Sequence, residues 1–186
     1  MLSSLYTEAE RNTTYWFVMR AYKNEKLAEE RLSGKNGLEY YIPKRYAIRV
    51  YHGVKSKRLV PVIPSLIFVH ATQVQIAEFK KNEYNLLQFV KWENKEGGQY
   101  LIVSDENMDS FIKISSQYED SIEYYKPEEI RLEKGTRVLI HGGKFDGVKG
   151  VFVRVEGKRN RRVVVMLEGV TAVAAEVDPD LVEVIS

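Results

Sequence analysis

The chain contains no cysteine among its 186 residues, which excludes disulfide frameworks, thiolate zinc sites and catalysis by a cysteine nucleophile. Long hydrophobic runs are also scarce, because the longest apolar stretch, 59–71, is interrupted by Pro61, Pro64, Ser65 and His70. The first residues lack an apolar segment behind a basic start. We therefore expect no signal peptide, no membrane span and a cytoplasmic protein.

Motifs of enzymes and metal sites are missing as well. His52, His70 and His141 are isolated from one another, and no G-x-S-x-G, H-E-x-x-H or paired-carboxylate pattern occurs. The glycine-rich run 142–150 lacks the G-K-[ST] ending of a phosphate loop and precedes a strand rather than a helix, so it is better explained as a tight hairpin turn. We expect neither an enzyme nor a metal or other cofactor.

The order of secondary structure predicts an α+β protein in two parts. The first part contains a strand at 15–21, helices at 25–33, 73–81 and 105–115, and several further strands. After residue 131 the pattern becomes five short β runs, and the thirteen valines between residues 136 and 186 favour strands over helices. Between them lies an acidic, tyrosine-dotted segment with Pro127. We therefore predict a domain at 1–115, a linker at 116–131 and a small five-stranded, SH3-like barrel at 132–186.

Positive charge is concentrated although the whole chain carries a net charge of only +2. A hairpin with its turn at His52-Gly53 is predicted for 44–62, and the stretch 44–58 contains six basic residues and no acidic one. With Tyr46 and Tyr51 between them, these cations could lie along a phosphate backbone. A solvated hairpin whose charges keep the sheet edges soluble is equally consistent with composition. The six residues are Lys44, Arg45, Arg49, Lys55, Lys57 and Arg58.

Two other segments have alternative interpretations. The apolar strip 60–69 must place alternate residues in a core, whereas its Pro-flanked corner, 63–66, could stay exposed as a docking patch. A second basic turn, 158–162, is either a nucleic-acid contact or a soluble loop. Phe145 in the glycine-rich turn is either a core residue or an exposed anchor.

The sequence resembles the NusG-type transcription elongation factors over nearly its whole length. The resemblance is carried by the WFVMR run at 16–20, by Tyr41-Ile42-Pro43 and the strip 60–69, and by the GTRVLI run at 135–140 with the glycine-rich turn that follows. It implies an N-terminal α/β sandwich around an antiparallel sheet, called the NGN domain, and a five-stranded KOW barrel.

The resemblance also implies partners. The N-terminal domain would bind the clamp coiled coil of RNA polymerase, and the hairpin cations would touch the non-template DNA strand, upstream DNA or RNA. The KOW domain would bind a ribosomal protein or the termination factor Rho, and the protein would be a monomer. The polymerase-binding residues implied are Trp16, Phe17, Ile63, Pro64, Leu66 and Phe68. The KOW partner-binding residues implied are Gly143, Phe145, Gly147 and Gly150.

The corner of the strip departs from the family pattern. The usual aromatic-Pro-Gly-aromatic sequence appears here as Ile63-Pro64-Ser65-Leu66. With the acidic linker and the basic hairpin, this departure resembles the specialised UpxY-type antiterminators of capsular-polysaccharide operons more than the general factor. The valines argue against the helical KOW form found in RfaH. The alternative function is a KOW-containing RNA-binding or ribosome-associated module without polymerase binding.

Overall fold

The computed structural model describes residues 7–22, 25–34, 38–83, 86–92, 98–132 and 135–185. The helices in these ranges are α1 (Glu8–Asn12), α2 (Glu25–Ser33), α3 (Gln73–Asn82) and α4 (Asp105–Ser115). The strands are β1 (Tyr15–Arg20), β2 (Glu39–Tyr41), β3 (Lys44–Tyr51), β4 (Val54–Pro61), β5 (Leu66–Ala71), β6 (Gln88–Phe89), β7 (Ile102–Val103), β8 (Glu123–Tyr125), β9 (Thr136–Ile140), β10 (Lys149–Val153), β11 (Arg162–Leu167), β12 (Thr171–Glu176) and β13 (Val182–Val184).

The chain divides into two compact units, one formed by 1–42 with 63–104 and the other by 43–62 with 105–186. Both are built on antiparallel sheets with helices, in agreement with the predicted α+β class. The predicted sandwich and the domain boundaries after residues 115 and 131 stay predictions. No helix among the described residues is long and apolar enough to span a membrane.

The first unit is organised around strands β1 and β5, which pair from Tyr15↔Ala71 to Arg20↔Leu66. Strand β2 extends this sheet beside β5, while β6 and β7 pair with β1. Both central strands consist of β-branched, aromatic and other apolar residues that are buried on both faces. On one face, Phe17 and Met19 belong to a core that also contains Leu32 of α2 and Phe79 of α3.

Helix α3 begins at a reciprocal cap. The Thr72 hydroxyl accepts a hydrogen bond from the Gln75 backbone at 3.1 Å, and the Gln75 side-chain oxygen accepts one from the Thr72 backbone at 2.9 Å. Two backbone donors that the first helical turn would leave unpaired are thereby satisfied. The cap fixes the start of the helix directly after β5.

The second unit contains a six-stranded antiparallel sheet in the order β13-β9-β10-β11-β12-β8. Its five valine-rich strands lie where the sequence predicts them. The predicted closed barrel is not observed, because the end strands β13 and β8 do not pair with each other within the described part of the chain. Strand β8, which pairs with β12 from Ala172↔Tyr125 to Ala174↔Glu123, comes from the segment expected to be a linker.

Helix α4 also belongs to this second unit, where it contacts β10, β11 and β12. The Ser110 hydroxyl of α4 accepts a hydrogen bond from the backbone of Lys149 at 3.1 Å. Met108, Phe111 and Ile114, spaced three apart along the helix, are fully buried. Of the apolar side expected from the sequence, Met108, Phe111 and Ser115 are buried, whereas Ile112 is half-buried and Ile114, which was not expected there, is buried instead.

Candidate functional site

Strands β3 and β4 form a hairpin that is paired along its whole length, from Lys44↔Pro61 to Tyr51↔Val54. Its two turn residues, His52 and Gly53, have φ angles of 46° and 79°. Two positive φ angles are the geometry of the tight turn whose twist matches that of the flanking strands. The hairpin predicted from the sequence is therefore confirmed. It makes a two-stranded sheet of its own, unpaired with any other described strand.

The pairing register separates the cations of the hairpin by type. Because successive side chains on a strand alternate between faces and paired residues share a face, all three arginines lie on one side and all three lysines on the other. We call these sides the arginine face and the lysine face. The arginine face carries Arg45, Arg49 and Arg58 with Tyr51 and Val54. The lysine face carries Lys44, Lys55 and Lys57 with Tyr46, Ile48, Val50 and Leu59.

Both faces are largely exposed, and on the lysine face Ile48 and Val50 are 69% and 62% exposed. On the lysine face, the Lys57 ammonium lies 4.4 Å from the centre of the Tyr46 ring, and that ring makes an edge contact with Tyr118 at a centroid distance of 6.2 Å. Arg45, Arg49 and Arg58 are exposed, and none of them forms an ion pair within the described ranges. The arginine face therefore presents three uncompensated charges to solvent.

The corner of the apolar strip forms a tight turn. Ser65 adopts a φ of 64°, a left-handed conformation that glycine accepts more easily. Its carbonyl accepts a hydrogen bond from the backbone of Ala21 at 2.8 Å, and its N–H donates to the carboxylate of Glu25. The turn thereby places Pro64 on the surface, with Ile63 half-buried beside it.

Four of the six residues implied for polymerase binding lie in the interior. Trp16, Phe17, Leu66 and Phe68 are each at most 3% exposed. These side chains support the fold of the first unit rather than forming its surface, and their assignment to polymerase contact stays a prediction. The sequence analysis missed Tyr22, which follows Ala21 next to the turn and is 57% exposed. We call Tyr22, Ile63 and Pro64 the apolar corner.

The glycine-rich turn is shaped by backbone geometry. Gly142, Gly143 and Gly147 have φ angles of 81°, 67° and 79°, and the Gly142 N–H donates to the Asp146 carboxylate at 2.6 Å. Gly150 is different, because a Cβ there would lie 2.8 Å from the Val164 carbonyl oxygen. Gly150 therefore permits close strand packing, and its implied role in KOW partner binding stays a prediction.

Phe145 is only 4% exposed, so of its two interpretations the structure shows the core residue. Its loop is held by helix α4 and the residues after it. Lys113 donates to the carbonyl of Asp146, and Lys149 and Lys144 pair with Glu106 and Glu119. These lysine hydrogen bonds lower the pKa of both glutamates. The implied role of Gly143, Phe145 and Gly147 in KOW partner binding stays a prediction.

The second basic turn, 158–162, pairs two of its four cations, Lys158 and Arg162, within the unit, whereas Arg159 and Arg161 are exposed. The Lys158 ammonium lies 2.5 Å from the Glu123 carboxylate. Arg162, with a side chain only 10% exposed, lies 3.8 Å from Glu123 and 3.9 Å from Glu176, and donates to the Ser121 carbonyl at 3.2 Å. The sequence analysis did not identify this cluster, which we call the Arg162 cluster.

Glu123 and Tyr125 complete the Arg162 cluster. The Tyr125 hydroxyl donates to the Glu123 carboxylate. Burial and this acceptor raise the pKa of Tyr125 to about 12. Burial alone would raise the pKa of Glu123, but hydrogen bonds from Lys158 and Tyr125 and the nearby charges outweigh it and leave that pKa lowered. The cluster fastens β8 to the sheet rather than presenting charge to a ligand.

Comparison with known proteins yields one family. The family described as "Transcription termination factor nusG" matches residues 14–112, more than half of the chain. The matched range begins just before β1 and ends within α4, so it includes both the apolar corner and the basic hairpin. No curated protein matches the chain.

Proposed function

The chain belongs to the NusG family of transcription termination and elongation factors, and we propose that it is an antitermination or elongation regulator that binds RNA polymerase and suppresses pausing or termination. The family consists of transcription factors rather than enzymes. The observation that carries the proposal is the family match over 14–112, which spans the two open surfaces of the matched region. As a polymerase-bound regulator it would act in the cytoplasm, without a cofactor.

The apolar corner is the proposed polymerase-docking surface. Its three side chains reach solvent at one end of a rigid sheet, and the hydrogen bonds of Ser65 to Ala21 and Glu25 hold the turn in place. A preorganised apolar protrusion of this kind binds at low entropic cost. The clamp coiled coil of polymerase is the expected partner. Trp16, Phe17, Leu66 and Phe68 would support the corner from the interior.

The hairpin is the proposed nucleic-acid contact of the same complex. Six cations without an acid between them would attract phosphates and add a salt-dependent contribution to affinity. Through such contacts the protein would favour particular operons, as expected of the UpxY-type group that regulates capsular or surface polysaccharide genes. We propose that 132–186 acts as the KOW domain and recruits a ribosomal protein or Rho. The protein would work as a monomer.

A pull-down of core RNA polymerase by the purified full chain tests the docking surface. The informative variant is Ile63→Asp/Pro64→Asp, since both side chains reach solvent, whereas Leu66→Asp would bury a charge and unfold the first unit. The matched control is Val74→Asp, a 51% exposed apolar residue in the first turn of α3.

We expect wild type and the Val74 variant to retain polymerase, and the corner variant to lose it while keeping its circular dichroism spectrum and Tm. Retention by all three proteins would place the docking surface elsewhere. If wild type retains no polymerase, the polymerase proposal is wrong, and binding of RNA by the chain would then support the RNA-binding module.

A further inference from the structure

We propose that the lysine face of the hairpin is a docking surface for an acidic protein segment that carries apolar or aromatic side chains beside its carboxylates. This inference goes beyond the proposed function, because it requires neither polymerase nor nucleic acid and leaves the arginine face to the proposed nucleic-acid contact. It follows from the apolar character of the face, the arrangement of its lysines, its dimensions and the protein segment that touches its base.

The lysine face exposes an apolar row. Among the described residues, six of the ten large apolar side chains that are exposed lie on this hairpin, and four of the six share this face. Tyr46, Ile48 and Val50 follow one another along β3, and Leu59 of β4 pairs with Tyr46. A partner that covers this row removes apolar surface from water, which favours binding. The backbone of a nucleic acid would gain nothing from such a row, so the row points to a protein.

Two lysines stand directly opposite the apolar row. Lys57 pairs with Ile48, and Lys55 pairs with Val50. Neither lysine forms an ion pair within the described ranges, and the stretch 44–58 contains no acidic residue. Paired side chains on a sheet lie about 5 Å apart, and the stem of a lysine adds apolar surface while its ammonium group attracts carboxylates. A complementary partner therefore places carboxylates beside apolar side chains.

The size of the face limits what can occupy it. Two strands of eight residues form a surface about 27 Å long and about 10 Å wide, or about 300 Å². A stable interface between two folded proteins buries about 800 Å² on each of them. Two copies packed lysine face to lysine face would also bring six lysines together, which is unfavourable. A single segment of a partner protein fits the face better than a second copy of the chain does.

The chain itself provides an example of the chemistry that this face accepts. The Tyr46 ring, at the base of the face, makes an edge contact with the Tyr118 ring at a centroid distance of 6.2 Å. Tyr118 is followed directly by Glu119 and Asp120. An aromatic side chain that precedes two acidic residues thus already packs against the hairpin. A partner segment of the same composition would extend this contact along Ile48 and Val50 toward the turn.

Fluorescence anisotropy with the full chain tests the inference. The probe is a labelled peptide with the sequence of residues 116–125, which combines three acidic side chains with tyrosines and an isoleucine. The control is the same peptide with Gln and Asn in place of Glu and Asp. Salt at about 0.15 M screens interactions beyond about 8 Å, so that only close contacts contribute. We expect the acidic peptide to bind at least about tenfold more tightly than the neutral one.

Three double variants of exposed strand residues near the turn locate the contact: Ile48→Thr/Val50→Thr, Lys55→Gln/Lys57→Gln and the matched control Arg49→Gln/Arg58→Gln. The first keeps two β-branched side chains and removes apolar surface, and we expect it to weaken binding of the acidic peptide about tenfold. The lysine variant should weaken it about fivefold, and the arginine variant less than about twofold. All three should keep the circular dichroism spectrum and Tm of the wild type, because the altered side chains are exposed.

Other results would overturn the inference. Equal affinity for the two peptides would exclude recognition of carboxylates, and equal losses in the lysine and arginine variants would exclude a one-sided contact. Unchanged binding in all variants would place the peptide elsewhere, such as on β12 in place of β8. A dimer in light scattering that the Ile48 and Val50 substitutions abolish would identify a second copy as the occupant. Binding to phosphatidylglycerol vesicles without binding of the peptide would identify lipid. None of these results bears on the polymerase pull-down, which depends on the apolar corner.

Discussion

The basic hairpin and the basic turn at 158–162 look alike in sequence and differ in the folded protein. Both concentrate arginine and lysine around a tight turn, yet the hairpin arginines have no ion-pair partner in the described ranges, while Lys158 and Arg162 are paired with glutamates. The difference comes from Glu123 on β8 and Glu176 on β12, which the sheet brings beside the turn. Clustered cations thus indicate a nucleic-acid surface only when the fold brings no acid to them.

The largest difference between the two regions should appear on removing one arginine from each. We expect Arg162→Leu to lower the free energy of unfolding by about 3 kcal/mol, because it removes the buried cation that Glu123 and Glu176 share. Arg58→Leu should change it by less than about 0.5 kcal/mol, since the Arg58 side chain is exposed and forms no ion pair with the residues that the structure describes. Urea denaturation of both variants measures the two values. Similar losses would contradict the distinction between the regions.

The hairpin turn and the turn of the apolar corner can be compared in the same way. The expected change in the free energy of unfolding is of intermediate size. The hairpin turn has glycine at its second left-handed residue, Gly53, whereas the apolar corner has Ser65 at a φ of 64°. We expect Ser65→Gly to raise the free energy of unfolding by about 1 kcal/mol, because it relieves the backbone while the Glu25 hydrogen bond is kept. Thermal denaturation measures the change. A lower Tm would show that the serine side chain supports the turn.

Acid should weaken the Arg162 cluster and leave the hairpin unaffected. The pKa of Glu123 is lowered in the folded state, so its contribution is fully present above the unfolded value near 4.5 and is lost as pH falls through the folded pKa. The decrease in stability below pH 4.5 should be smaller in Glu123→Gln and unchanged in Arg49→Gln/Arg58→Gln. Urea denaturation between pH 3 and 7 tests this. Identical acid profiles for wild type and Glu123→Gln would refute it.

Raising the pH should weaken the same cluster by ionising Tyr125. We expect this change in stability to be the smallest. Its pKa is raised to about 12, so the stabilisation is fully present below pH 10 and is lost as pH rises toward 12. Tyr125→Phe should remove that loss, whereas Tyr51→Phe, on the exposed hairpin tip, should not. Stability measured between pH 8 and 11.5 distinguishes the two variants.

Local pattern predicted the elements of the fold better than their assembly. Alternation and the His52-Gly53 signal predicted the hairpin, and the valine-rich runs predicted five strands of the second sheet. Strand β8 was missed because Glu123 is charged and lies in an acidic segment, and its pairing depends on Arg162, which is distant in sequence. Periodicity likewise found most of the apolar side of α4 but could not show that it packs against β10 to β12.

The candidate sites show the same limit. The six hairpin cations were identified from sequence, and their division into two faces follows once the turn fixes the register. The sequence did not decide whether the apolar strip forms part of the core or a docking patch. In the structure Leu66 and Phe68 are buried and Pro64 is exposed. Tyr22 was missed because it follows a strand without any pattern of its own. Its position depends on the hydrogen bond between Ala21 and Ser65, a long-range contact.

Strand β8 also has a consequence for how the second unit can be recognised. Because it pairs with β12, the outer edge of β12 is covered, and the three-residue β8 is the last strand on that side. A ligand that pairs with β12 by adding a strand must first displace β8, and with it the ion pairs of Glu123. Its apparent affinity is therefore its intrinsic affinity multiplied by the fraction of molecules in which β8 is released. Three residues of the acidic segment thus compete with any strand that would pair with β12.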